Sequence, residues 1–325
     1  MLGAILTLLS AATFAFNNVS VRRGVLTGSV VQAMAIAVPI GVPILVVIAL
    51  AFGQLGAVAD FSWPATFWLA LAGIDHFVIG RYCNYRATKA MGGNLAGLVQ
   101  QIGIVISLGS ALIFLDEYLT PLNVFGMVLL FSGLYIALRS RKAKVGAPAK
   151  PQFNPDFSEG LLYSVLSGIA YGMSPLFIRL GLAYEGPGAG LAASLVSYIA
   201  AGATVVLFLL LQPSQLRHAL AVDRGAARWF TSSGVSVCLS QMLRYMALSV
   251  APITVVAPIQ QTSVIFRIIF SWFINREHEI FDARVMVGIV ISLIGTVGIS
   301  LGADVVLDYL PLPAAVVEFA HWRWP

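Results

Sequence analysis

The chain has 325 residues, 59% of them hydrophobic and only 10% charged, with a mean hydropathy of +0.89. Soluble domains carry about 25% charge, so the composition excludes a soluble enzyme or binding module and indicates an integral membrane protein. The formal net charge of +5 does not point to nucleic acid as a partner, because the basic residues sit mainly in short segments between apolar runs, where they set orientation in the bilayer.

A spanning helix needs about 20 mostly apolar residues, and ten such runs follow one another. The first, Leu2 to Val21, carries Asn17 and Asn18 near its end and is followed by Arg22 and Arg23. It starts at the initiator Met but has no basic residue ahead of its apolar stretch, which argues against a signal peptide. The second covers Val30 to Phe52. The third, Thr66 to Tyr85, holds Asp75, His76, Arg81, Asn84 and Tyr85; ionisable groups at membrane depth are costly and are treated as functional candidates. At about 100° per residue, Asp75 and Tyr82 share one face while Arg81, Asn84 and Tyr85 share another. Both faces meet one cavity only if it is broad or the helix unwinds near Gly73 or Gly80. The fourth run, Leu95 to Leu115, contains Gln100 and Gln101, and the fifth is Leu122 to Leu138. Arg139 to Glu159, with Lys142, Lys144, Lys150, Pro148, Pro151 and Pro155, reads as a linker.

The remaining runs are Leu161 to Ile178, Leu191 to Leu211, Trp229 to Leu248, Ile253 to Phe273 and Val285 to Leu301, and they restate the first five. With Gln100-Gln101 placed on Gln260-Gln261, Tyr85 falls on Tyr245, Ala87 on Ala247 and Glu117 on Glu277. Nearer each start Gly3, Ser10, Arg22 and Gly24 match Gly160, Ser167, Arg179 and Gly181, and nearer each end Gly126 and Gly133 match Gly288 and Gly295. Because five is odd, the second half must lie inverted if all ten runs span. The expected fold is therefore an all-α polytopic membrane protein with ten transmembrane helices as two inverted five-helix repeats. Its expected parts are 1–139, a linker at 140–158, 159–303, and a short interfacial tail at 304–325 ending Trp322, Arg323, Trp324. Loops after the odd-numbered runs hold most of the basic residues, among them Arg22, Arg23, Arg86, Lys89, Arg217 and Arg276, whereas the other side has Arg179, Arg244 and Arg323. The positive-inside rule then puts the linker in the cytoplasm and both termini outside.

Two five-helix repeats, a glutamate closing the fourth helix of each (Glu117, Glu277), and glycine-bearing fifth helices reading GMVLLFSG and GIVISLIG resemble the EamA-like members of the drug/metabolite transporter superfamily. The resemblance covers roughly residues 1 to 303 and rests on architecture, since the family has no sharp catalytic signature. It implies a secondary transporter whose first, third, fourth, sixth, eighth and ninth helices line a central cavity. Many members have cytoplasmic termini, from which the loop charges here depart.

Candidate substrate contacts lie on the third, fourth, eighth and ninth runs. Gln100 and Gln260 either hold a polar solute through their amides or bond neighbouring helices, whereas Gln101 and Gln261, rotated by about 100°, read as helix contacts. Gln241, Arg244 and Tyr245 form one stripe; Gln260, Ser263 and Arg267 form another. Arg81, Arg244 and Arg267 outnumber Asp75, and a buried cationic excess favours an anionic or zwitterionic solute. Each arginine has the alternative of an internal pair or an interfacial anchor. Asn84, Tyr85, Tyr245 and Asn17 complete the proposed contacts, and Asp75 with His76 are the candidates for proton coupling, exchange against a counter-substrate being the other option. Asn17 and Asn18 sit opposite Ser174 and Pro175, where a proline hinge is the competing reading. Glu117 and Glu277 read as helix-end anchors. The Gly298 to Gly302 spacing permits close helix approach and hence a homodimer.

Cys83 and Cys238 lie in apolar runs and form no disulfide or metal framework, so no cofactor or metal is expected. An intramembrane enzyme ranks last, since the chain has no HExxH, no GxSxG and no paired carboxylates within a helix. The leading expectation is alternating-access transport of a small polar, zwitterionic or anionic metabolite in the bacterial inner membrane, with a lipid-headgroup flippase or a multidrug exporter as alternatives.

Overall fold

A computed structural model describes residues 2–114, 121–139, 155–185, 188–251, 253–279 and 282–300. These residues are helical throughout: α1 (Leu2–Gly24), α2 (Val30–Ala37), α3 (Gly41–Ala51), α4 (Leu55–Ala59), α5 (Trp63–Gly73), a π-helical segment (Ile74–Gly80), α6 (Arg81–Met91), α7 (Gly93–Gln100), α8 (Ile102–Phe114), α9 (Pro121–Arg139), α10 (Phe157–Leu182), α11 (Gly190–Leu211), α12 (Pro213–Leu220), α13 (Arg224–Val250), α14 (Ile253–Gln261), α15 (Ser263–Ile274) and α16 (Ala283–Ser300). Glu117, Gly302, most of the linker and the tail from 301 lie outside the described residues.

Several runs that read as one helix are interrupted, each for a local reason. The second divides at Pro39, which has no N–H to donate, so α2 ends at Ala37 and α3 starts at Gly41. The third is α5, the π segment and α6, and it reaches Met91 rather than stopping at Tyr85. The π turn is flanked by glycines at close approaches: a Cβ on Gly73 would overlap the Ser197 carbonyl, and one on Gly80 would press on the Tyr171 ring. Such widened turns recur at functional sites, but of this run only His76 reaches the cavity described below. The fourth and ninth runs break at matching places. Gln101 stands between α7 and α8, and Thr262 follows Gln260-Gln261 between α14 and α15.

The outside of the bundle is more apolar than its inside, as a lipid-facing surface requires. On α11, Ser194, Ser197, Tyr198 and Gly202 are buried while Val206, Leu207, Phe208, Leu210 and Leu211 are exposed. Leu2–Gly24, Val30–Ala51, Phe157–Leu182 and Gly190–Leu211 are long and apolar enough to cross a membrane. The third, fourth and ninth runs are divided by breaks.

Matching residues of the two halves make matching contacts. α1 lies antiparallel to α13: a Cβ on Gly3 would meet Ala251, Ser10 donates to the Ser240 carbonyl at 2.8 Å, and Gly24 packs on Phe230. α10 lies in the same way along α6 and α5: Gly160 packs on Met91, Ser167 donates to the Gly80 carbonyl at 3.0 Å, and Gly181 packs on Leu69. At the seam between α9 and α16 the pairing is reciprocal, since Gly133 faces the Gly288 carbonyl and Gly295 faces that of Gly126. Ser292 donates to Leu130 O across that seam at 2.9 Å. These contacts define two ends of the bundle. Gly24, Met91, Gly160 and Phe230 lie at the end where the linker leaves and returns, and Gly3, Ala251, Gly181 and Leu69 lie at the far end. Arg22, counted from sequence as a loop charge, is inside α1 and only 1% exposed.

Candidate functional site

A cavity of about 110 Å³ lies between α1, the π segment, α7, α8, α10, α13, α14 and α15. These elements belong to the first, third, fourth, sixth, eighth and ninth runs. Leu248 and Ile253 line it at the far end, while Gly97 and Arg267 line it toward the linker end.

The two helix breaks place their glutamines here. Gln100, Gln101, Gln260 and Gln261 all contribute to the lining, so Gln101 and Gln261 are not confined to helix contacts. Both members of each pair border the cavity although helical geometry sets them about 100° apart, so the cavity is broad at this level. Gln100 Nε2 donates to Asn84 Oδ1 at 2.8 Å, and Asn84 Nδ2 donates to Asn18 Oδ1 at 2.9 Å, a chain that orients the Gln100 amide. Gln260 Oε1 accepts from Ser10 at 3.1 Å.

Arg244 projects from α13 and is 8% exposed, not at an interface. Its Nη1 lies 3.5 Å from His76 Nδ1 and 3.4 Å from Gln241 Oε1, both long contacts and neither with a carboxylate. His76 tilts against the Tyr171 ring with centroids 4.4 Å apart, and Phe14 meets the same ring edge-on. His76 Nε2 has no hydrogen-bond partner among the described residues, and neither does Arg267 Nε. Arg267 Nη1 donates to the Gly93 carbonyl at 3.0 Å. Its guanidinium fills the space where a Cβ of Gly97 would stand, so this α7 position must be glycine for the arginine to reach the floor. No aspartate or glutamate occurs among the described lining residues.

Of the residues singled out from sequence, Gln100, Gln260, Arg244, Ser263, Arg267 and His76 meet at this cavity. Arg81 does not. It is 1% exposed, lies over Phe77 and Tyr198, and donates to Tyr198 at 3.3 Å and to the Ala37 carbonyl left at the end of α2. Asn84 lies behind Gln100. Tyr85 bonds Ser233 at 3.4 Å, and Ser233 donates to Asn17 at 2.7 Å. Tyr245 donates to Ser197 at 2.9 Å. Asp75 is half-buried outside the lining, and its Oδ2 has no hydrogen-bond partner among the described residues. Pro175 lines the cavity from within α10. Tyr171 and Phe14 went unselected because aromatic residues at helical spacing read as ordinary packing.

Below the floor, toward the linker end, charged groups form a buried cluster. Glu279 accepts from the first two amides of α7, Gly93 N at 2.6 Å and Asn94 N at 3.0 Å. Arg22 Nε lies 3.7 Å from Glu279 Oε1 with both side chains 1% exposed. Arg22 also donates to the carbonyls of His278 at 2.7 Å and Thr88 at 3.0 Å. Burial pushes the Glu279 carboxyl above the ordinary glutamate range, against the pull of Arg22 and the two amides. Glu277, the residue that the sequence alignment favoured as an anchor, is exposed on a 3₁₀ turn. The buried contact to α7 is made by Glu279.

The sequence matches the EamA-like transporter family over residues 1–139 and 158–301. A crystal structure of another protein superposes with a TM-score of 0.65 at 15% identity, covering 96% of this chain and 98% of that one; at such identity the likeness shows the fold alone. No curated relative matches the chain.

Proposed function

We propose that this chain, which belongs to the EamA-like transporter family, carries a small anionic or zwitterionic organic metabolite across the membrane by alternating access. The carrying observation is the cavity wall, where Arg244 and Arg267 stand among five glutamine amides with no carboxylate among the described lining residues. Two desolvated guanidiniums favour a carboxylate or phosphate group over a cation. This balance argues against a multidrug cation exporter.

The ten-span, inverted-repeat arrangement is part of this reading and is supported by the reciprocal α9–α16 seam and the matched α1–α13 and α10–α6 contacts. The repeats rock about the cavity, with the linker in the cytoplasm of a bacterial inner membrane. His76 is the proposed proton-responsive residue, with Asp75 beside it on the π segment. Arg81, Asn84, Tyr85, Tyr245 and Asn17 hold the cavity helices in place.

The test is thermal stabilisation of the purified protein by a panel of dicarboxylates, amino acids, sugar phosphates and cationic drugs, since a ligand bound only to the folded state stabilises it by RT ln(1 + [L]/Kd). Stabilisation by an anion or zwitterion, reduced about tenfold or more in apparent affinity by Arg244→Gln, is expected from the loss of a hydrogen bond to a charged group. Stabilisation by hydrophobic cations alone, or by phospholipid headgroups alone, overturns the reading in favour of drug export or lipid flipping.

A further inference from the structure

The geometry points to Glu279, held by Arg22, as the latch that closes the linker end of the cavity, and to Arg267 as the residue that transmits cavity occupancy to it. Glu279 lies beyond α15, yet its carboxylate terminates α7, an element of the other half. Arg22 gathers α1, the last turn of α6 and the loop around His278 onto that carboxylate. Four elements that must separate for the linker end to open are therefore joined at one buried ion pair. The joint lies at a natural hinge, because Gly92 between α6 and α7 adopts φ 87°, a conformation that side chains other than glycine rarely tolerate, and the Glu279 carboxylate lies against it.

Arg267 links this latch to the cavity. Its guanidinium lines the floor while Nη1 binds the carbonyl of Gly93, the residue whose amide Glu279 holds. An anion on the floor competes for that guanidinium and removes one of the ties on the first turn of α7. An unbound cavity thus keeps the latch shut, and an occupied one weakens it, the differential interaction that a ligand needs to shift a conformational equilibrium. The latch itself does not depend on the anionic reading of the cavity; the part assigned to Arg267 rests on it.

Asn94 provides the reporter. It is 3% exposed beneath the latch, and its side-chain amide has no hydrogen-bond partner among the described residues, so cysteine replaces it at little cost. In full-length Cys83→Ala, Cys238→Ser protein in nanodiscs, Asn94→Cys is expected to react slowly with a membrane-impermeant maleimide. Glu279→Gln is expected to speed that labelling by about tenfold or more, as labelling follows the population of the open form. Ser107→Cys, on the cavity wall in α8, is expected to slow in the same variant. Unchanged Asn94→Cys labelling in monodisperse Glu279→Gln protein overturns the latch, and so does acceleration at both positions, which identifies a mere structural staple. Should Glu279→Gln fail to fold, Glu279→Asp, which keeps the charge on a stem one methylene shorter, must give an intermediate rate for the latch to stand. For Arg267, saturating succinate or inorganic phosphate is expected to speed Asn94→Cys labelling in protein with Glu279 intact and not in Arg267→Gln. Anions that stabilise the protein without changing that rate overturn the link while leaving the transport reading standing. If no anion binds, both the link and that reading fall, and the Glu279 arm decides the latch alone.

Discussion

At the linker end Arg22 donates to the carbonyl of Thr88, and at the far end Arg179 donates to the carbonyl of Leu248 at 3.1 Å. Arg22 and Arg179 match in the two halves, and so do Thr88 and Leu248. The surroundings differ. Arg22 is fully buried beside the Glu279 carboxylate, whereas Arg179 is half-buried and makes no ion pair of 4 Å or less among the described residues. A duplicated chain thus keeps the same helix contact at both ends and adds a buried charge pair at one.

The largest effect should come from breaking that asymmetry. Arg22→Ala leaves Glu279 buried without its cation, a defect worth about 3–5 kcal/mol, whereas Arg179→Ala removes a single half-buried hydrogen bond worth about 1 kcal/mol. Thermal unfolding in one detergent is expected to show a much larger loss for Arg22→Ala. Equal losses would mean that the charge pair adds nothing to the shared contact.

The seam between the halves offers a second comparison. Gly133 on α9 faces the Gly288 backbone and Ser292, but Gly109 on α8 has open space where a Cβ would point. Gly133→Val is expected to cost about 1–3 kcal/mol through overpacking. Gly109→Ala is expected to be neutral or to stabilise by up to about 1 kcal/mol through helix propensity. A tolerated Gly133→Val would show that α9 and α16 are not in backbone contact at the reciprocal pair.

How much of this the residues disclosed depends on continuity. Helical runs, the pairing of the two halves, and Gln100, Gln260, Arg244 and Arg267 as cavity candidates followed from patterning, because apolar length and repeated spacing survive packing. Arg81 was indistinguishable from Arg244 by sequence, since both are lone cations in apolar runs; the difference is that Tyr198 and the Ala37 carbonyl, left open where α2 gives way to α3, come to Arg81 from distant elements. Gln101 and Gln261 read as helix contacts because they are turned about 100° from their neighbours, and the pattern does not disclose that the cavity is broad enough to be bordered by both members of each pair. Glu279 was passed over for Glu277, since the two differ only in how a short turn directs them, and nothing in the spacing says which will reach the start of α7.

The smallest expected effect compares buried and exposed carboxylates. Asp156 and Asp223 start α10 and α13, accepting from Glu159 N at 3.1 Å and Ala226 N at 2.9 Å. These backbone amides, followed by the hydroxyls of Ser158 and Thr27, hold both carboxyls below the ordinary range. A carboxylate whose folded pKa is depressed gives stability that is present above its unfolded value and lost as pH falls through its folded value. Glu279 has the opposite sign, since its raised value means that the folded state holds the proton more tightly. Asp223→Asn retains an amide oxygen for the cap but cannot titrate. It is therefore expected to flatten slightly the acid limb of the stability profile, measured by thermal unfolding across the acidic range, while Glu279→Gln removes a component that falls as pH rises. A Glu279→Gln profile that differs from the parent in the same direction as Asp223→Asn would show that hydrogen bonds and Arg22 outweigh burial at the Glu279 carboxyl, as amides do at the caps, and the two kinds of carboxylate would then not differ in sign.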